Sequence, residues 1–303
     1  MHMPFDLSAL TVPLWLPVAW GLLVGLVFSL VGAAGGILAS FGLISVIGLT
    51  DPNLVKPMAQ ALTLATPLVA VPAYHRQCRL VVPLALVLGL GGIAGALIGS
   101  GLSVRYLADL NVFRPVFAFL VLGIAAQLAW SLRPGGRSRP HTARAVAAFE
   151  GLIATGAEPS TVGVRSRHWS PWRAEFKFGT VHFRYRPWVA FLVGLGIAFL
   201  SSALGVGGGF LLVPFMALVL QLPMFVIAGT AALAVFVSSA TSITHYVALG
   251  ARFDLPLLVL LLAGTFAGAW LGPQLSRFLR ERWLKILLTL VLLGIALRYL
   301  GVN

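Results

Sequence analysis

The chain has 303 residues, 59% of them hydrophobic and 10% charged, with a formal net charge of +13 and a mean hydropathy of +0.98. That composition excludes an ordinary soluble domain and a disordered chain, and it reads as a polytopic membrane protein. The single cysteine, Cys78, excludes an internal disulfide and a cysteine-rich metal site.

No Lys or Arg precedes Leu16. The N-terminus therefore lacks the basic region of a signal peptide, and the first hydrophobic segment is expected to stay in the mature protein. Hydrophobic segments run over residues 14–31, 37–49, 57–74, 80–102 and 112–132. The first two are separated by Gly32-Ala33-Ala34-Gly35-Gly36. Residues 37–49 fall short of the roughly 20 residues a span needs. They are expected to form a half-helix or one arm of a re-entrant hairpin, ended by the turn residues Asp51-Pro52-Asn53. Gly91, Gly95 and Gly99, four apart, give the fourth segment a smooth face for helix packing.

Residues 1–132 thus form a first transmembrane repeat. Residues 133–186 differ in kind, with nine Arg and one Lys against three Glu. They read as a solvated basic linker, with a short amphipathic helix over 142–153. Residues 175–185 alternate apolar and polar around Gly179-Thr180, which predicts a β-hairpin. A basic loop between membrane helices is a topology signal or an anionic-lipid contact rather than a nucleic-acid site.

Residues 187–303 repeat the first unit. At a shift of 173, Gly32, Gly35 and Gly36 fall on Gly205, Gly208 and Gly209. Arg79 falls on Arg252, and Gly91, Gly95 and Gly99 fall on Gly264, Gly268 and Gly272. Segments follow at 187–204, 210–222, 224–249, 255–275 and 283–300. An internal duplication is the usual architecture of a secondary transporter. The basic linker places itself on the cytoplasmic side, and the N-terminus, free of basic residues, outside. An odd number of crossings per half follows, so the halves are inverted. The expected fold is an all-α polytopic membrane protein of two inverted repeats, about five helical segments each, broken or re-entrant at the glycine motifs.

The strongest of those motifs is Gly205-Val206-Gly207-Gly208-Gly209, between two apolar helical runs. Broken backbone at membrane depth is tolerated only where protein or a cavity surrounds it. The helix that resumes presents free N–H groups and a positive dipole end, which suits an anion. None of the eight acids, Asp6, Asp51, Asp109, Glu150, Glu158, Glu175, Asp254 and Glu281, lies inside a hydrophobic segment. A cation carrier normally keeps one there. Thr230, Ala234, Ser238, Thr241 and His245 share one helical face, with Ser239 and Ser242 beside it. The matching first-half segment offers Gln60, Thr63 and Thr66. The candidate substrate-binding set is Gly35, Gly36, Gln60, Thr63, Gly207, Gly208, Gly209, Thr230, Ser238, Ser239 and His245. Lys56 and Arg252, near segment ends, are expected to snorkel.

The residues Gly205 to Pro214, Gly229-Thr230, Ser238-Ser239, Gly250 with Asp254, and Gly264 to Gly272 resemble the TauE/SafE family of sulfite exporter-like membrane permeases. The likeness covers about 110 residues in each half. The first half departs from the family pattern, with GAAGG where GxGGG is usual. The resemblance implies transport of sulfite, sulfoacetate, another organosulfonate or a related small anion across the bacterial inner membrane. It implies no cofactor, no metal and no nucleic-acid partner. Partners are then the anion and the lipid bilayer, with the oligomeric state left open, a homo-oligomer included. A passive anion channel is one alternative. A membrane-embedded hydrolase using Ser238 or Ser242 with His245 is another, disfavoured because no glycine flanks these serines and no acid orients the histidine.

Overall fold

A computed structural model describes residues 2–4, 11–32, 35–107, 109–131, 163–178 and 181–275, and single helical positions between 286 and 297. The expected helix at 142–153, the Gly179-Thr180 turn, the basic residues at 277–285 and most of the segment at 283–300 lie outside the described residues.

The chain is mostly helical. A short antiparallel pair, β1 (His2–Pro4) and β2 (Thr11–Pro13), precedes α1 (Trp15–Val31). α2 (Gly35–Phe41) runs on as a π-helical stretch, Gly42–Ile47. α3 (Pro52–Arg76), α4 (Val82–Tyr106) and α5 (Leu110–Ser131) complete the first half. Three strands follow, β3 (Val164–Trp169), β4 (Ala174–Phe178) and β5 (Val181–Tyr185), paired antiparallel in that order. The second half begins with α6 (Pro187–Leu204), then α7 (Gly209–Pro214) with its π-helical continuation Phe215–Val219. α8 (Met224–Ala248) and α9 (Leu255–Leu275) close the described part. α3, α4, α6, α8 and α9 are long and apolar enough to cross a membrane, which makes this a multi-pass membrane protein.

Local chemistry sets the helix ends. Asp51 does not close the preceding helix but opens α3: its carboxylate accepts the Asn53 N–H at 2.8 Å, with Pro52 at the first helical position. α3 therefore starts five residues earlier than its apolar run suggests. α1 and α6 end at Gly32 (φ 73°) and Gly205 (φ 69°). Both are left-handed C-terminal caps, a conformation that glycine adopts without a Cβ penalty. The expected hairpin is present as β4 and β5, and its alternation is real: Phe176, Phe178, Val181, Phe183 and Tyr185 are buried while His182 and Arg184 are exposed. The third strand, β3, was not legible from alternation. The sheet docks on the helices through Phe178 against Phe225 (5.0 Å between rings) and the Val164 N–H on the Cys78 carbonyl (2.9 Å).

Two seams join the halves. α1 lies along α9, and α4 along α6. In both, glycines let backbone meet backbone. A Cβ on Gly264 or Gly268 would overlap the carbonyl of Val18 or Leu22, and one on Gly91 or Gly95 would overlap that of Phe191 or Leu195. These are the same contacts made twice, since 173 separates the members of each pair. Away from the glycine face α4 exposes Leu86, Leu90 and Leu97, an apolar surface suited to lipid. α3 and α8 cross in the middle and are the most enclosed of the long helices.

The seams give a direct test. Gly268→Val places a branched side chain on the Leu22 backbone and should cost about 1–3 kcal/mol or more. Gly196, with nothing within 4 Å of an added Cβ, is the control. Thermal unfolding in detergent should show the valine variant melting well below the parent and Gly196→Ala within a degree or two of it.

Candidate functional site

Both glycine breaks end against the core helices. The Cβ-free face of Gly32 rests on Ala228 of α8, and that of Gly205 on the backbone and stem of Lys56 of α3. The breaks also meet each other: a Cβ on Gly36 would overlap the Val206 carbonyl, and the Ser40 hydroxyl donates to the Gly205 carbonyl at 3.3 Å. In α7 the Leu212 N–H is bonded to the Gly208 carbonyl at 3.2 Å. The N–H groups before Leu212 belong to the first turn, which has no carbonyl one turn earlier in the helix.

Five of the expected residues come together here. Gln60 Nε2 donates to the Ser201 carbonyl at 3.4 Å. Thr63 Oγ1 donates to the Gln60 carbonyl at 2.8 Å and lies 3.4 Å from Ser239 Oγ across the α3–α8 crossing. The Thr63 side chain is also 2.8 Å from where a Cβ on Gly207 would stand, and its methyl is 2.9 Å from one on Gly36.

Gly208 and Ser238 line a small pocket beside that crossing, walled by Leu88, Gly92, Gly194, Ile197, Ala198, Leu212 and Ala234. Its enclosed space is about that of one water molecule. An added Cβ on Gly208 would stand 3.4 Å from both Ile197 Cγ2 and Ser201 Oγ, an ordinary contact. The equivalent first-half position is closed, because a Cβ on Gly35 would run into the Phe28 side chain. Phe28 and Ser201 are equivalent at the 173-residue shift, as are Ala65 and Ser238. The second half has hydroxyls where the first has a phenyl ring and a methyl.

Bond quality separates these hydroxyls from the rest. Ser201 and Ser238 bond only their own helix, to Ala198 and Val235, at 3.2 Å. Bonds this long are easily exchanged. Thr230 is committed elsewhere, accepting the Val81 N–H at 3.1 Å and donating to the Val226 carbonyl at 2.8 Å. It lies about 12 Å up α8 from Ser238. His245 lies about 10 Å the other way, half-buried, with Nδ1 bonded to Ser100 Oγ at 2.5 Å. The shared face of α8 is thus real as a face but spread along the membrane normal. Gly209, buried, opens α7.

The serine–histidine pairs expected for a hydrolase are not made. Ser242 bonds Ser202 at 2.7 Å, Ser238 bonds Val235, and the partner of His245 is Ser100. Ser201, which sequence reasoning passed over, stands four residues before the glycine cluster in a Ser201-Ser202 pair. Polar residues ahead of a break were the available signal.

Among the described residues, two cations are enclosed, Lys56 and Arg79. Lys56 does not snorkel: it is 0% exposed, and its ammonium donates to the Leu107 carbonyl and sits 5.4 Å from the Phe113 ring. Arg252, by contrast, is exposed. Arg79, between α3 and α4, donates to the Phe225 carbonyl (3.0 Å) and to Gln77 (2.9 Å) and covers the Tyr74 ring at 4.9 Å. Burial pushes its pKa down, yet a guanidinium keeps its proton.

A family model described as "Sulfite exporter TauE/SafE" matches residues 17–299. The chain is 25% identical over 298 residues to "Probable membrane transporter protein YunE" of Bacillus subtilis (strain 168), covering 94% of this chain and 97% of that one. No solved structure matches the chain.

The two breaks differ in tolerance, and stability should report it. Gly36→Ala drives a methyl into the Val206 backbone, whereas Gly208→Ala fills space beside Ile197 and Ser201. In detergent, Gly36→Ala should lose about 1–3 kcal/mol or aggregate, and Gly208→Ala should melt like the parent.

Proposed function

The chain belongs to the sulfite exporter TauE/SafE family of membrane transporters, and from that premise we propose that it is a secondary transporter of a small sulfur-containing anion. The substrate is sulfite, sulfoacetate or another organosulfonate, carried across the bacterial inner membrane by alternating access. The observation that carries this reading is the set of exchangeable donors at the second break. The Ser201, Ser238 and Ser239 hydroxyls, with contacts of 3.2 to 3.4 Å, lie about the first turn of α7, while Thr63 is held by the Gln60 carbonyl. An oxyanion recruits such donors at little cost, because their present bonds are weak.

The pocket beside Gly208 holds about one water. An anion of four or more heavy atoms needs more room, so this is the closed form of the site. Opening separates groups held by the long contacts of the crossing while the glycine seams stay fixed. In this reading the halves are inverted in the membrane, with the linker cytoplasmic, and the anion sits at the N-terminal end of the second broken helix, faced by Gln60 and Thr63 of the first half. Thr230 supports the α3–α4 loop rather than the anion. His245, away from the pocket, serves as a proton-coupling group if uptake is pH-driven.

Binding tests the site. Ser238→Ala should weaken sulfite or sulfonate binding by about 1–3 kcal/mol, the usual loss for a hydrogen bond to a charged group. Gly208→Val should abolish binding while the protein inserts and elutes as the parent does. Normal binding by Gly208→Val moves the site elsewhere.

Orientation is tested separately. On a Cys78→Ser background, Ser138→Cys should resist impermeant thiol reagents in intact cells, while His2→Cys and Asn303→Cys should label. Labelling at 138 from outside removes the inverted arrangement.

A further inference from the structure

Lys56 is a buried ion without a task in this reading. It sits in the second turn of α3, fully enclosed, with its stem against Gly205. An ammonium has three donors, and among the described residues this one gives a single hydrogen bond, to the neutral carbonyl of Leu107 at the end of α4. The Phe113 ring is its other contact. Asp51, exposed at the start of α3, attracts the ammonium through space, but its carboxylate accepts the Asn53 N–H, and no ion pair joins it to Lys56 among the described residues. One carbonyl and one ring at a helix C-terminus do not compensate for removing a charge from water. An ionisable residue kept inside a membrane at that cost marks a substrate or ion route.

The neighbours say where the route runs. Lys56, Gln60 and Thr63 are four and three residues apart, so they share a face of α3. Each meets the second break in turn: Lys56 at Gly205, Gln60 at the Ser201 carbonyl, Thr63 at Gly207 and Ser239. All three are buried. Their second-half equivalents are Gly229, Leu233 and Phe236, so the polar stripe exists on one side of the molecule only.

We propose that Lys56 is the charged anchor of the anion route, drawing substrate along the Lys56–Gln60–Thr63 stripe from the α3 N-terminal side of the membrane to the Gly208 site. The proposal rests on the transporter reading. In the closed form the ammonium is folded onto Leu107. Its flexible four-carbon stem lets it turn to the anion when the crossing opens.

Ligand charge is the readout that separates this role from helix capping. Full-length protein in proteoliposomes is assayed for uptake competition by sulfite, in near-neutral buffer just above its second pKa, where the dianion predominates and the ammonium keeps its proton, and by methanesulfonate, a monoanion. Lys56→Gln keeps a neutral donor, one atom shorter, on the same face of α3 and removes the charge. It should weaken sulfite about ten- to hundredfold, the loss expected of a charge-assisted hydrogen bond. Methanesulfonate should lose about half as much on a logarithmic scale, because Coulomb energy scales with ligand charge. Lys56→Arg keeps the charge and should keep the parent ratio of the two affinities. Equal losses for both ligands, or none, in Lys56→Gln reduce Lys56 to a cap on α4. So does an altered ratio in Lys56→Arg, which decides the matter if the glutamine variant does not insert. A parent protein that takes up neither anion overturns the transporter reading itself, and this inference with it.

Discussion

The structure depends on backbone meeting backbone along the two seams, α1 with α9 and α4 with α6. In a lipid environment apolar side chains gain little by leaving tails for one another, so helices associate through close van der Waals contact. Glycine permits that contact at Gly264 and Gly268 on one seam and at Gly91 and Gly95 on the other. Each seam takes its first helix from one half and its fourth from the other. Neither half can form a seam alone, so the halves interlock. The interlock encloses α3 and α8, and with them the ends of both broken helices.

That arrangement divides the molecule into stiff and exchangeable parts. The last turn of each broken helix is pinned in the same way. The Tyr74 hydroxyl donates to the Ser29 carbonyl, and the Tyr246 hydroxyl donates to the Ser202 carbonyl at 2.8 Å. Ser29 and Ser202 are equivalent at the 173-residue shift, three residues before each capping glycine. Beyond the pins the contacts loosen: Ser40 to Gly205, Gln60 to Ser201 and Thr63 to Ser239 all lie between 3.3 and 3.4 Å. Close-packed seams transmit displacement rather than absorb it. Motion is therefore expected at the crossing and the breaks, where the proposed site is.

Much of this was legible in the sequence because membrane helices declare themselves by composition. α6 and α9 begin and end at the residues that hydropathy marks, and the 173-residue shift maps α1 on α6, α3 on α8 and α4 on α9. Less legible features depended on partners distant in the chain. The burial of Lys56 is set by Gly205, Leu107 and Phe113, none of which its local sequence reveals. Thr230 looked like a member of a polar face, but the Val81 N–H, 149 residues away, claims it. Ser201 was hidden because its value comes from what is missing opposite it, the ring that Phe28 supplies in the other half.

The two breaks differ in what fills them: a pocket lies beside Gly208, and the Phe28 side chain takes the equivalent place beside Gly35. The two breaks are equivalent positions at the 173-residue shift, Gly35 with Gly208 and Gly36 with Gly209. The first break is filled: Phe28, 1% exposed, packs on Gly35, and Ala65 and Thr265 stand at the positions equivalent to Ser238 and Gly92 at the second break. A phenyl ring in that position excludes a ligand from the first-half break by volume, and Ala65 removes the hydroxyl that would bind it. What the first half keeps is polarity on the facing side, Gln60 and Thr63 on α3, turned toward the other break. One copy thus supplies the broken helix and its hydroxyls, and the other supplies the wall that closes over them. The proposed site is therefore built across both halves and held together at the crossing by long contacts, Gln60 to Ser201 and Thr63 to Ser239, rather than by the close-packed seams.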